Sequence, residues 1–261
     1  MARPHNQVLL LGDSLLQRTA DLDNGFSFQA QLQSKCIRRL DVINRGLSGW
    51  TTKNVKKYLT DIIPERDNKT HKIEYLIILL GANDAVLPVP GTTQHVPIDD
   101  YEKNLEYIIN HPHIKQHNPK ILLVTPPPVD EIRSGELDKA DGFDASIRET
   151  NVSAAYSQRV RDISARYPDI ILVDLWKGIM DKAIELTPDD YTPGGPWLGS
   201  LENGNRGGLR SLIPDGLHLS GDGYRVFWEL TKPHIGSDWV PGDMSEWVYP
   251  AWGRFDADGN I

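Results

Sequence analysis

One stretch near the N-terminus decides the fold, Gln7-Val8-Leu9-Leu10-Leu11-Gly12-Asp13-Ser14-Leu15. Its apolar part is short and ends at a glycine, which predicts a buried strand over residues 7–11. Ser14 follows that strand beside a glycine that allows a sharp turn, so we expect its hydroxyl to be presented at the strand end. An α/β hydrolase holds its nucleophile at such a point. Leu16 replaces the second glycine of the Gly-x-Ser-x-Gly elbow, so the segment alone also fits a plain turn.

Short apolar runs alternate with amphipathic helical patterns along the rest of the chain. Further strands are predicted at residues 41–44, 75–80, 121–124 and 170–173, with helices between them. Parallel strands are normally joined by a right-handed crossover through a helix, so this alternation indicates a parallel sheet. The sequence therefore predicts an α/β fold, a three-layer α/β/α arrangement with a five-stranded parallel sheet. No linker or internal repeat is visible, and we expect a single domain over residues 1–261.

Two segments depart from this alternation. Residues 187–213 are rich in Gly, Pro and Asn and show neither a helical nor a strand period, so we interpret them as an insertion near the active site. The tail, residues 236–261, contains Trp239, Trp247 and Trp252, and so many aromatic residues predict a tail that packs on the domain.

Composition narrows the function classes. The chain has 261 residues, a formal net charge of −8 and one cysteine, Cys36, expected to be a core residue. The negative charge disfavours binding to nucleic acid or to anionic membranes. No apolar run approaches the ~20 residues of a membrane span, and no signal-peptide region precedes the first strand. We therefore expect a cytoplasmic protein without a membrane span, and its assembly into homo-oligomers stays open.

Three polar or small residues follow the first three predicted strands. Ser14 follows the first, Gly46 the second and Asn83 the third. Ligands of open parallel sheets bind outside the carboxyl ends of the strands, so these residues are expected at one edge. Acyl transfer requires donors aimed at the oxygen that becomes negative. The backbone N–H groups of Ser14 and Gly46 and the side chain of Asn83 are the predicted oxyanion hole.

A serine nucleophile also requires a histidine base that is oriented by a carboxylate. The segment Asp215-Gly216-Leu217-His218 supplies both within one turn. This spacing lets the carboxylate face Nδ1 of His218 and leaves Nε2 for Ser14. Taken alone, the same two residues fit a helix cap and a surface histidine better.

With these residues in place, the chain resembles the SGNH hydrolases of the GDSL type, a family named for its Ser, Gly, Asn and His. Those four match Ser14, Gly46, Asn83 and His218, and Asp215 matches the acid. Within the family the chain is most similar to the isoamyl acetate-hydrolysing esterase group. The similarity covers residues 7–232 and is carried by the segments 45–50, 81–85, 95–97, 125–131 and 215–220.

The resemblance implies a flavodoxin-like strand order and a serine esterase that hydrolyses small, acetate-type esters through an acyl-enzyme. Ser14 would attack, His218 would transfer the proton, and Asp215 would orient His218. No metal or organic cofactor is implied, and we expect Trp50 and Trp197 to contact the ester substrate. Family members that deacetylate carbohydrates or act as lysophospholipases or lipases leave those specificities open. A catalytically silent binding protein on the same fold is the alternative outside enzymes.

Two other patterns are weaker as metal sites. His111, His113 and His117 lack a framing carboxylate or cysteine at a recognised spacing, and a solvated helix end fits them better. Asp256-Ala257-Asp258-Gly259-Asn260 begins like a calcium loop, but the chain ends before the closing glutamate of such a loop.

Overall fold

The structure, a computed structural model, describes residues 5–67, 70–240, 242–245 and 247–254. Its centre is one five-stranded sheet in which all neighbouring strands run parallel, in the order β2-β1-β3-β4-β5. The strands are β1 (Gln7–Gly12), β2 (Asp41–Gly46), β3 (Ile73–Leu79), β4 (Lys120–Val124) and β5 (Ile170–Val173). The predicted parallel sheet is confirmed, and its order is the flavodoxin-like one.

Helices lie between the strands and after β5. They are α1 (Ser14–Gln17), α2 (Phe28–Cys36), α3 (Thr52–Ile62), α4 (Ile98–Ile109), α5 (Pro112–His117), α6 (Glu131–Ala140), α7 (Thr150–Arg166), α8 (Leu175–Leu186), α9 (Leu209–Leu212) and α10 (Gly221–Thr231). The sequence pattern did not predict α6. This helix buries Ser134, Gly135 and Asp138, so no apolar stripe marks it.

Two apolar layers cover the faces of the sheet, and β1 contributes to both. Val8 and Leu10 pack into the layer formed with α2, α8 and α10, whereas Leu9 and Leu11 pack into the layer formed with α3, α4 and α7. This alternation is the two-residue period of a strand buried on both faces. Cys36 is fully buried in the first layer, and burial raises the pKa of its thiol to about 12. The three-layer architecture is thereby confirmed, with Cys36 as a core residue.

The register of the sheet brings the ends of its first three strands level. Gly12 of β1 pairs with Gly46 of β2 on one side and with Leu79 of β3 on the other. The chain leaves β1 toward β2 and then returns across β1 to β3, which makes the carboxyl end of β1 the switch point of the sheet. Open α/β sheets bind ligands at such a point. In the described residues, no helix combines the length and apolarity required to cross a membrane.

The segment 187–213 packs partly inward. Leu198 and Ile213 are buried in the layer of α8 and α10, together with Leu209 and Leu212 of α9. In the tail, the ring of Trp247 contacts the guanidinium of Arg38, which lies 4.4 Å from the ring centre. The side chain of Trp252 is 87% exposed. Trp239 packs against the core. The calcium-like stretch 256–260 lies outside the described residues.

Candidate active site

Ser14, His218 and Asp215 form a continuous hydrogen-bonded chain. Oγ of Ser14 lies 2.9 Å from Nε2 of His218, and Nδ1 of His218 lies 2.8 Å from Oδ2 of Asp215. Ser14 is the first residue of α1, directly after β1, and it is only 6% exposed. Asp13 caps this helix by accepting the N–H of Leu15 at 2.9 Å. The geometry is that of a nucleophile, a base and a carboxylate that orients the base.

The turn that holds the base is organised by the carboxylate of Asp215. Its Oδ1 accepts the backbone N–H groups of Leu217 at 2.9 Å and of His218 at 2.7 Å, which leaves Oδ2 for the imidazole. Burial acts to raise the pKa of Asp215, but the hydrogen bonds from His218 and Leu217 outweigh it and hold this pKa well below its ordinary value. Asp215 is therefore ionised across the physiological pH range and favours the tautomer of His218 that carries its proton on Nδ1.

Asn83 and Asp84 hold the loop that follows β2. Nδ2 of Asn83 donates to the carbonyl of Trp50 at 2.9 Å, and Asn83 is only 4% exposed. The buried carboxylate of Asp84 accepts the N–H of Thr52 at 3.0 Å and also the Thr52 hydroxyl. One N–H of the Asn83 amide is thus used to orient the group, and its second N–H has no acceptor among the described residues.

The N–H of Gly46 has a partner within β2, and the place of Gly46 in the oxyanion hole stays a prediction. Its N–H donates to Oδ1 of Asn44 at 2.8 Å, so its only proton is already used. Its Cα faces α1, and a Cβ at this position would lie 2.0 Å from the backbone nitrogen of Gln17. Gly46 therefore allows β2 and α1 to approach closely. In the described part of the chain, the N–H groups of Gly49 and Ser14 have no acceptor.

The two tryptophans predicted to contact substrate have different surroundings. Trp50 is half-buried and lines a pocket of about 410 Å³ together with the segments 48–54 and 93–96. The ring of Trp197 instead lies between two aromatic rings, edge-on to Trp176 at 4.9 Å and stacked on Tyr191 at 5.9 Å. Those contacts are typical of a packing side chain, and substrate contact by Trp197 stays a prediction.

Two charged groups beside the triad have a buried polar atom without a partner in the described part of the chain, and the sequence predicted no role for either. Burial raises the pKa of Asp13 to about 7, and its Oδ2 has no hydrogen-bond partner among the described residues. Nε of Arg148 also has no hydrogen-bond partner among the described residues. Burial lowers the pKa of the Arg148 guanidinium, and the charges of Asp138, Asp13 and Asp215 act against that fall. Arg148 lies in a polar segment with no apolar or motif spacing, so only the structure brings it close to these acids.

The three clustered histidines contact backbone groups. His117 accepts the N–H of Ile73 at 3.2 Å through Nδ1 and lies 3.0 Å from the carbonyl of Pro64 through Nε2. Nδ1 of His113 lies 2.8 Å from the carbonyl of Ile63. Within the described ranges, no group of three or more His, Cys, Asp or Glu side chains could hold a metal ion.

Comparison with known proteins identifies the family of the chain. The model of the GDSL-like Lipase/Acylhydrolase family matches residues 10–226. An isoamyl acetate-hydrolyzing esterase 1 homolog of Rattus norvegicus is 34% identical over 251 residues, 92% of this chain and 86% of the relative. This match confirms the resemblance to the isoamyl acetate-hydrolysing group.

Two solved structures share the fold. A lipase/acylhydrolase from Enterococcus faecalis superimposes with a TM-score of 0.61 at 22% identity, covering 91% of this chain and 99% of that one. The acetyl xylan esterase AlAXEase superimposes with a TM-score of 0.61 at 19% identity, covering 88% and 99%. The family model and the rat relative together establish that the chain belongs to the GDSL-like lipase/acylhydrolase family, as a carboxylic ester hydrolase.

Proposed function

We propose that this enzyme hydrolyses small esters, with acetate esters as the first class, through an acyl-enzyme formed on Ser14. The observation that carries the proposal is the hydrogen-bonded chain from Ser14 through His218 to Asp215, with spacings of 2.9 and 2.8 Å. These hydrogen-bonded residues lie at the switch point of the sheet, where open α/β folds bind their ligands.

The first half of the reaction forms the acyl-enzyme. Oγ of Ser14 attacks the ester carbonyl carbon while Nε2 of His218 takes the hydroxyl proton. The tetrahedral intermediate then collapses, the carbon–oxygen bond to the alcohol breaks, and His218 returns the proton to the departing alkoxide. Asp215 holds the imidazole in place and stabilises its protonated form.

The oxyanion requires donors whose protons are not already used. We propose the N–H of Ser14, the second Nδ2 proton of Asn83 and the N–H of Gly49. Gly49 stands next to Trp50, whose carbonyl orients Asn83, so two of the three donors lie on loops that are joined by that hydrogen bond. Gly46 would contribute only after releasing Asn44. These donors bind the charged intermediate more tightly than the neutral ester, which lowers the barrier.

The second half of the reaction regenerates the enzyme. A water molecule attacks the acyl carbon as Nε2 of His218 removes its proton, and the second intermediate collapses to release the acid and the Ser14 hydroxyl. His218 acts as base and then as acid in each half, which is why its Nδ1 must stay bonded to Asp215 throughout.

The name of the rat relative supports an acetate ester of a simple alcohol as substrate. The acetyl xylan esterase fold supports a second candidate, removal of acetyl groups from a carbohydrate. One feature of this chain also favours the second candidate. The pocket beside Trp50 is lined by hydroxyl, amide and imidazole groups, including Thr51, Gln94 and His95. Hydroxyl-rich alcohols find hydrogen-bond partners on such a surface.

A panel of esters tests the proposal. Aryl and alkyl acetates, longer acyl esters, lysophospholipid and acetylated xylan are compared on wild type and on Ser14→Ala. We expect turnover of the short acetates by wild type and none by Ser14→Ala. A preference for acetylated xylan would select the second candidate, and equal turnover by both proteins would remove Ser14 from the mechanism.

A further inference from the structure

An ion pair outside the triad joins two parts of the chain that are far apart in sequence. Nε of Arg206, in the segment 187–213, donates to Oδ2 of Asp130, in the loop between β4 and α6. The Asp130 side chain is fully buried and that of Arg206 is 19% exposed. Oδ1 of Asp130 also accepts the N–H of Arg133 at 3.1 Å, which begins α6. Both partners are thereby fixed in orientation.

This pair contacts the backbone on each side of the catalytic acid. Nη2 of Arg206 lies 3.4 Å from the carbonyl of Pro214, the residue before Asp215. The N–H of Asp130 donates to the carbonyl of Gly216, the residue after it, at 3.0 Å. Arg206 and Asp130 thus contact the backbone on both sides of Asp215, at the carbonyls of Pro214 and Gly216.

Packing keeps the turn against the same loop. Gly216 has a φ of +89°, and a Cβ there would lie 2.7 Å from the nitrogen of Ser134 and 2.8 Å from the carbonyl oxygen of Asp130. A side chain is therefore excluded for conformational and for steric reasons. Leu212 accepts the N–H of Ser220 at 2.9 Å, so the turn is also held on its far side.

We propose that Asp130 and Arg206 are positioning residues, which hold the turn of Asp215 so that its carboxylate meets His218, and that this is a catalytic contribution of the segment 187–213. The proposal rests on the triad mechanism proposed above. Arg206 acts only through Asp215 and His218. Its loss allows the turn to move, and small misplacements of catalytic groups are costly, on the order of 10- to 100-fold in rate.

The experiment compares Arg206→Ala and Arg206→Lys with Arg210→Ala and Arg210→Lys. Arg210 is an exposed residue of α9 in the same segment, so the matched variants carry the same change in charge. For each protein we measure kcat and KM on a short acetate ester, the rate of reaction with a small fluorophosphonate, and the melting temperature.

We expect Arg206→Ala to lower kcat and the fluorophosphonate rate together by about 10- to 100-fold with KM changed less than about threefold. Arg206→Lys keeps the positive charge but lacks the planar guanidinium that reaches two acceptors. Its kcat should therefore lie between that of Arg206→Ala and that of wild type. The Arg210 variants should match wild type. Asp130→Asn combined with Arg206→Ala should cost no more than the worse single change, because the two residues act as one unit.

The proposal is overturned if Arg206→Ala keeps the kcat of Arg210→Ala and only its melting temperature falls, since the pair would then be structural. A raised KM with unchanged kcat and fluorophosphonate rate would also overturn it and make Arg206 a substrate contact. If Arg206→Ala does not fold, Arg206→Lys against Arg210→Lys decides by the same readouts. Failure of wild type to react at Ser14 would instead reject the triad mechanism.

Discussion

Ser14 and His218 are 204 residues apart in sequence, yet Oγ of the first lies 2.9 Å from Nε2 of the second. Ser14 reaches the site because it follows β1, the strand at the switch point. His218 reaches it from a turn before α10 that is fixed by Asp215. The contact is thus a product of the sheet topology and of one locally hydrogen-bonded turn, and each can be perturbed separately.

Replacing Asn83 with Ala tests the oxyanion hole. The Asn83 amide is oriented by the carbonyl of Trp50, and its free N–H is proposed to bind the intermediate more tightly than the substrate. We predict that Asn83→Ala lowers kcat by about 10²- to 10³-fold with little change in KM. Steady-state kinetics on a short acetate ester measures both. An effect confined to KM would show that Asn83 only positions the substrate.

Asp215→Asn tests the orientation of the base. The variant can still accept backbone N–H groups through Oδ1, but its amide would present an N–H to Nδ1 of His218. That contact favours the tautomer with its proton on Nε2, which cannot accept a proton from Ser14. We predict a fall in kcat of roughly 10³- to 10⁴-fold with the fold retained. Asp222→Asn, an exposed change on α10, is the control. Comparable kcat values for the two variants would contradict the role of Asp215.

The dependence of stability on pH tests the burial of Asp13. Burial raises the pKa of this fully buried carboxyl from 3.8 to about 7. Between pH 3.8 and pH 7 the folded protein keeps a proton on Asp13 that the unfolded chain has lost. The free energy of unfolding therefore falls as pH rises, and the loss is complete above pH 7. The loss attributable to Asp13 is about 4 kcal/mol.

Asp13→Asn removes this titration and keeps the acceptor that caps α1. Relative to wild type, the variant should therefore gain about 4 kcal/mol of unfolding free energy between pH 4 and pH 8. Urea unfolding of both proteins at several pH values measures the difference, in which the contributions of other groups largely cancel. Parallel curves for the two proteins would show that Asp13 does not titrate in this range.

The positions that sequence reasoning placed correctly in space share a local cause. Ser14 follows an apolar strand, and Asp215 and His218 lie in one turn, so topology and spacing were sufficient. Gly46 also follows a strand, but whether its N–H is free depends on the side-chain rotamer of Asn44, which no sequence pattern reports.

Features that depend on distant or polar packing were not predictable. Helix α6 buries polar and small residues, so it has no apolar period. Asp130 and Arg206 are 76 residues apart, and neither belongs to a recognisable motif. Trp197 was expected to contact substrate because its segment lies immediately before Asp215 and His218, but its contacts with Trp176 and Tyr191 become visible only when the segment is folded.

Substitution of the two tryptophans separates substrate contact from packing. The Trp50 side chain lines the pocket of about 410 Å³, and the Trp50 carbonyl binds Asn83, so Trp50→Ala should change the order in which the enzyme prefers the esters of the panel. Trp197→Ala removes a half-buried ring and should lower the free energy of unfolding by about 2 kcal/mol with the order retained. If Trp197→Ala changes the order of ester preference, the result would support the substrate contact expected from sequence. If Trp50→Ala leaves that order unchanged, Trp50 does not help to select the ester.

The most direct test of the central claim is the site of covalent modification by a fluorophosphonate. Ser14 Oγ should attack phosphorus, fluoride should leave, and peptide mapping by mass spectrometry should find the phosphonyl group on Ser14 alone. Ser14→Ala, with an unchanged circular dichroism spectrum, should stay unmodified and lose nearly all esterase turnover. Equal modification of wild type and Ser14→Ala, for example at Ser48, would place the nucleophile elsewhere and contradict the account.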